Sequence, residues 1–211
     1  MMRNLLLYTL IFFATQPLLA QSPYEQAMTK ALQQFSEAES IDNLQTVANA
    51  FERISQKETQ EWLPLYYESL TYVIMGFDNS ASISERDRYY KQAEELANKA
   101  AILETNSEIT ALKGYVVMGQ LSVDPAGRGQ SLSSVAINYF QKAIEQNPGN
   151  PRALFLMAQM EYGAAQFFGE STENACATLR KAVNQYEKEE SNALMPIWGK
   201  SRAVNMLNQC K

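Results

Sequence analysis

The 211 residues carry 18 Lys and Arg against 23 Asp and Glu, a formal charge of −5, and no segment gathers Lys and Arg into a stripe for phosphates, so nucleic acid is excluded as a partner. Histidine is absent, which removes Ser-His-Asp and Cys-His nucleophile activation, the usual imidazole metal ligands and an ordinary neutral-pH proton shuttle. Asp and Glu spread along helix faces read as solvated surface. No enzymatic activity, no cofactor and no metal site are therefore expected.

In chain order, Met1-Met2-Arg3-Asn4 and the apolar run Leu5 to Ala14 read as a secretory signal at 1–20, too short to span a bilayer, with cleavage after Ala20. The expected protein is periplasmic or secreted, with no membrane span after cleavage. Residues 21–211 form one domain in which apolar residues recur at three and four, helix after helix. One set of helices is predicted at 24–36, 62–75, 108–118 and 151–162. A second set carries small or apolar residues at spacings of four and three: Val47, Phe51 and Ile54; Ala93, Ala97 and Ala100; Ala136, Phe140 and Ala143; Ala175, Leu179 and Ala182. Between the two sets, 76–84, 119–131 and 163–172 each open on Gly, a residue that closes helix ends in the left-handed region, and these read as enlarged loops. Asp78-Asn79-Ser80 and Ser84 with Asp87 read as helix caps, lacking the alternation of a calcium loop.

Ala136, Phe140, Ala143 and Pro148 stand at the spacing of the second helix of a tetratricopeptide repeat. The chain over 24–190 resembles that superfamily, and Asp124-Pro125, Arg128-Gly129, Phe168-Gly169 and Pro196-Ile197-Trp198-Gly199 resemble exported repeat proteins of Bacteroidota, a group to which the resemblance attaches no activity. It implies an all-α solenoid of about four helix pairs (24–57, 59–105, 107–148 and 151–190) with a capping helix over 196–210 that covers the face the last unit would expose.

The resemblance further implies a protein- or peptide-binding scaffold whose groove is lined by first-helix positions Tyr115, Met118, Arg152, Phe155, Gln159 and Tyr162, with Glu108 and Ala111 beside them. Aromatic rings with Arg and Gln suit an extended peptide; the same residues also suit packing between helices. Tyr66 and Tyr67 either join that groove or are buried. The alternative is a small-molecule or anion binder using the loop rim, where Arg128 stands among Gly119, Gly127 and Gly129; Arg128 tying down nearby loop carbonyls or pairing with Asp124 is the competing reading. Cys176 and Cys210 are the only cysteines. In an exported chain they form either a bridge between antiparallel helix ends or two free thiols.

Overall fold

The computed structural model describes residues 21–190, 192 and 194–210, so the signal at 1–20 lies outside the described residues. Among the described residues the chain forms nine helices: α1 Pro23–Glu37, α2 Ile41–Lys57, α3 Trp62–Gly76, α4 Ile83–Leu103, α5 Ser107–Val123, α6 Pro125–Gln146, α7 Pro151–Phe168, α8 Glu173–Lys188 and α9 Lys200–Leu207. Local chemistry sets most of the starts. Ser22 with Glu25 and Ser82 with Glu85 are reciprocal capping boxes, and Ser40, Asn106, Asp124 and Asn150 each accept a backbone N–H of the following turn. Pro23, Pro125 and Pro151 occupy first-turn positions, where the missing N–H has no partner to lose. The cap of α4 is thus Ser82, two residues before the expected Ser84.

Consecutive helices pack as pairs, α1 on α2, α3 on α4, α5 on α6 and α7 on α8, with α5 also touching α3 and α7 in an inner layer. The second helix of each pair buries most of the stripe expected of it: Val47 and Phe51, Ala93, Ala97 and Ala100, Ala136, Phe140 and Ala143, and Ala175, Leu179 and Ala182 are all in the core, while Ile54 is only partly buried. Methyl side chains let neighbouring backbones approach, and Phe51, Phe140 and Leu179 fill the space between them. The inner helices are enclosed more fully. On α3, residues Tyr66 to Val73 are buried without interruption.

The first enlarged loop stands, as 77–82 between α3 and α4, and the other two are corrected. Helix α5 runs through Gly119 to Val123 and α6 begins at Pro125, leaving Asp124 alone between them, while α7 runs through Gly163 to Phe168. Among the described residues only Gly169 and Gly199 have positive φ. Gly76 and Gly119 serve a different purpose, because each faces the ring of Tyr90, which is fully buried, and a Cβ at either position would collide with that ring. A tyrosine on α4 therefore wedges between the α3 and α5 backbones.

Candidate functional site

The inner face at the C-terminal half of the molecule is built around a buried ion network. Arg152, 3% exposed, donates from Nε to Glu108 Oε2 at 2.7 Å and from Nη2 to Glu108 Oε1 at 2.9 Å, and it also pairs with Glu189. Asn150 Nδ2 donates to Glu108 Oε1 at 2.9 Å and to Ser107 Oγ at 2.8 Å. Burial works against the guanidinium charge, but the hydrogen bonds and attraction of Glu108 outweigh it and hold Arg152 protonated. The network joins α5, α7 and the end of α8, with one guanidinium facing two carboxylates.

The segment after α8 then lies across this face. Trp198 stacks on Tyr115, with ring centroids 5.4 Å apart and planes 16° from parallel, and its Nε1 donates to Tyr66 Oη at 2.9 Å. Tyr67 Oη donates to the Leu194 carbonyl at 3.1 Å; Arg202 Nη1 donates to Tyr115 Oη at 2.5 Å and sits 5.6 Å over the Phe155 ring. Gly199, at φ 103°, passes against the Tyr186 hydroxyl where a side chain would clash.

The predicted peptide groove is corrected accordingly. Tyr115, Met118, Arg152 and Phe155 are core residues, Tyr66 and Tyr67 are buried, and only Gln159 and Tyr162 keep partial exposure. Because Trp198 and Arg202 occupy the aromatic inner face, a peptide finds it already filled by the chain's own C-terminal segment. The expected cap is present as α9 on α8, but its approach doubles as this plug. Cys176 and Cys210 are bridged, with Cα atoms 5.8 Å apart, which fastens the end of the plug to the start of α8.

The loop-rim site is corrected too. Arg128 lies in the first turn of α6 and donates to Asp87 Oδ1 at 2.6 Å, Asp87 Oδ2 at 2.8 Å and the Gln120 carbonyl at 3.0 Å. This bidentate pair holds the Asp87 carboxyl below the usual range and ties α6 to α4. Asp124, the other proposed partner of Arg128, instead caps Gly127 N at 3.0 Å. The glycines expected to cradle an anion are helical.

An open groove remains at the other end of the molecule. Between α1 and α2 lies a cavity of about 330 Å³, floored by Ala27, Ala31, Ala50 and Ile54 and flanked by Tyr24 and Gln34. Lys30, Arg53 and Lys57 line it against the single carboxylate Glu58, a local excess of positive charge on an acidic protein. Tyr24 is half-buried beside the groove, and burial, together with Glu61 and Glu58 nearby, pushes the phenol up so that it stays neutral. Sequence reasoning missed this groove. Its signals are Ala27, Ala31 and Gln34 at helical spacing opposite Ala50, Ile54 and Lys57, and small residues at that spacing ordinarily mean packed helices. A second apolar feature is the exposed pair Phe167 and Phe168 (81% and 71%), edge to face at the end of α7.

No family model matches the chain, and no curated protein does. Among solved structures it is similar to the HusA haemophore from Porphyromonas gingivalis, with 32% identity over 89% of this chain and 92% of that chain and a TM-score of 0.79. A haemophore is a small-molecule carrier, so this likeness, together with the filled inner face, overturns the expected scaffold function and the expected protein or peptide partner. No helix among the described residues is long and apolar enough to cross a membrane, and the disulfide is compatible with an exported protein. The chain belongs to the same all-helical family as this haemophore.

Proposed function

We propose that this protein is a periplasmic or secreted carrier that binds haem or a closely related tetrapyrrole and performs no chemistry on it. The likeness to a haemophore along nearly the whole of both chains carries the reading. Two features of the molecule support it: an unfilled apolar groove with an excess of cations, suited to a flat ligand with carboxylates at its edge, and a disulfide of the kind exported chains keep. Since the chain has no histidine, binding rests on contacts to the macrocycle and its carboxylates and has no imidazole to draw on. In the same reading the helix pairs are tetratricopeptide-like units of a solenoid, a scaffold adapted here to a small ligand.

Titration of residues 21–211 with haemin, followed by the Soret band and by quenching of tyrosine and tryptophan emission, tests the reading. A single saturable site with a dissociation constant of about 1 μM or tighter is expected, on the order of 8 kcal/mol of binding free energy. Absence of saturable quenching and of any Soret change would overturn it.

A further inference from the structure

We infer that the groove between α1 and α2 is the seat of the tetrapyrrole, with Lys30, Arg53 and Lys57 holding its carboxylates; the inference rests on the carrier reading above. Three observations converge on this place. The floor is made of methyl groups and one isoleucine, Ala27, Ala31, Ala50 and Ile54, so a planar ring meets a surface with few projections. Burying one face of such a ring against it supplies the bulk of the attraction.

The charge at the rim is opposite to that of the protein as a whole. Three cations against Glu58 border the groove of a chain whose formal charge is −5. Lys30 reaches it from α1, while Arg53 and Lys57, one turn apart on α2, reach it from the opposite wall. Among the described residues Lys30 and Arg53 stand in no ion pair, and the Lys57–Glu58 contact, at 4.0 Å with the Lys57 side chain 74% exposed, is too loose to occupy the ammonium. Long basic side chains lay their methylenes along apolar surface and keep the charged head at its edge, the geometry that a ligand with an apolar body and ionised carboxylates requires. The guanidinium of Arg53 can also take a carboxylate by two hydrogen bonds.

The third observation is the contrast with the other open apolar feature. Phe167 and Phe168 project at the end of α7 next to Glu170, where a dianion would meet a carboxylate.

The test compares haemin with haemin dimethyl ester, whose carboxylates are masked, on wild-type protein and on the double variant Arg53→Glu, Lys57→Glu. Both positions are exposed, so the variant is expected to fold, and an unchanged helical circular dichroism spectrum verifies this. Haemin affinity is expected to fall about tenfold in the variant, from two weak attractions turned into repulsions, and that loss should shrink in high salt. Affinity for the dimethyl ester should differ little between the two proteins. If wild-type protein binds haemin and the variant binds it equally well, the groove assignment is overturned while the carrier reading stands. If wild-type protein does not bind haemin, both fall. A wild-type chain that pairs through this face, and that the double variant turns into a monomer without change in haemin affinity, would give the groove to a second copy and likewise overturn the assignment.

Discussion

Replacing Trp198 by Ala removes the centre of the C-terminal plug. Trp-to-Ala changes in a fully buried site cost about 3–5 kcal/mol, but Trp198 is only half-buried, which reduces the packing share to roughly 2–3 kcal/mol. A second contribution comes from Tyr66, whose fully buried hydroxyl loses its indole donor and keeps only a long contact to Glu108 Oε2 at 3.5 Å; an unmatched buried hydroxyl costs about 1 kcal/mol or more. The total is about 3–4 kcal/mol. Trp198→Phe separates the two parts, because it preserves an aromatic ring against Tyr115 while deleting the donor, and it should cost about 1 kcal/mol. Urea unfolding at fixed pH, followed by circular dichroism, measures both variants. A loss below about 0.5 kcal/mol for Trp198→Ala, the level of an ordinary surface change, would mean that the segment does not pack on the inner face, and the reason given for closing that face to peptides would fail.

Glu68, 6% exposed on α3, has its carboxyl pushed up from 4.5 to about 7 by burial and by Glu52, against the pull of Lys99. Its folded-state pKa is raised, so its contribution is fully present below about pH 4.5 and is lost as pH rises toward 7; the difference is about 3 kcal/mol, and Glu68→Gln should raise the thermal midpoint at pH 8 and flatten this part of the pH profile, which an unchanged profile would refute. Gly119→Ala drives a methyl into the Tyr90 ring between α3 and α5 and should cost at least about 1–3 kcal/mol, whereas a neutral result in thermal unfolding would show that Tyr90 is not wedged there. Cys210→Ser opens a closure of 34 residues and should cost roughly 3–4 kcal/mol in the chain-entropy model, with amide exchange rising first along α9; equal stability of the variant and the oxidised wild type would count against the staple.

The helices were legible because their determinants are local. Ala136, Phe140 and Ala143 stand three and four apart, and Pro151 follows Asn150 as a cap should be followed. What failed was the meaning of glycine and the destination of aromatics. Gly119 after an apolar run reads as a helix stop, and only the position of Tyr90, on another helix, explains why the helix needs a missing side chain there. Tyr115 and Phe155 carry the residue types of a peptide groove, yet the ring that covers Tyr115 belongs to Trp198, which also bonds Tyr66 across 132 residues of sequence, a separation that no helical period encodes. Arg128 stands among glycines with Asp124 as the nearby carboxylate, while its bidentate partner Asp87 lies 41 residues upstream. The α1–α2 groove escaped notice for the opposite reason. Alanines at helical spacing fit tight packing and an unfilled floor equally well, and only the three-dimensional separation of the two helices distinguishes them.

Ferric haem broadens nearby amide signals, so adding haemin to ¹⁵N-labelled protein in an amide-correlation experiment reports the position of the iron directly. The account predicts broadening concentrated on α1 and α2, at residues 23–34 and 50–58, with the signals of Trp198 and the α7–α9 core retained. Broadening centred on Phe167 and Phe168, or on the inner face around Tyr115, would contradict it.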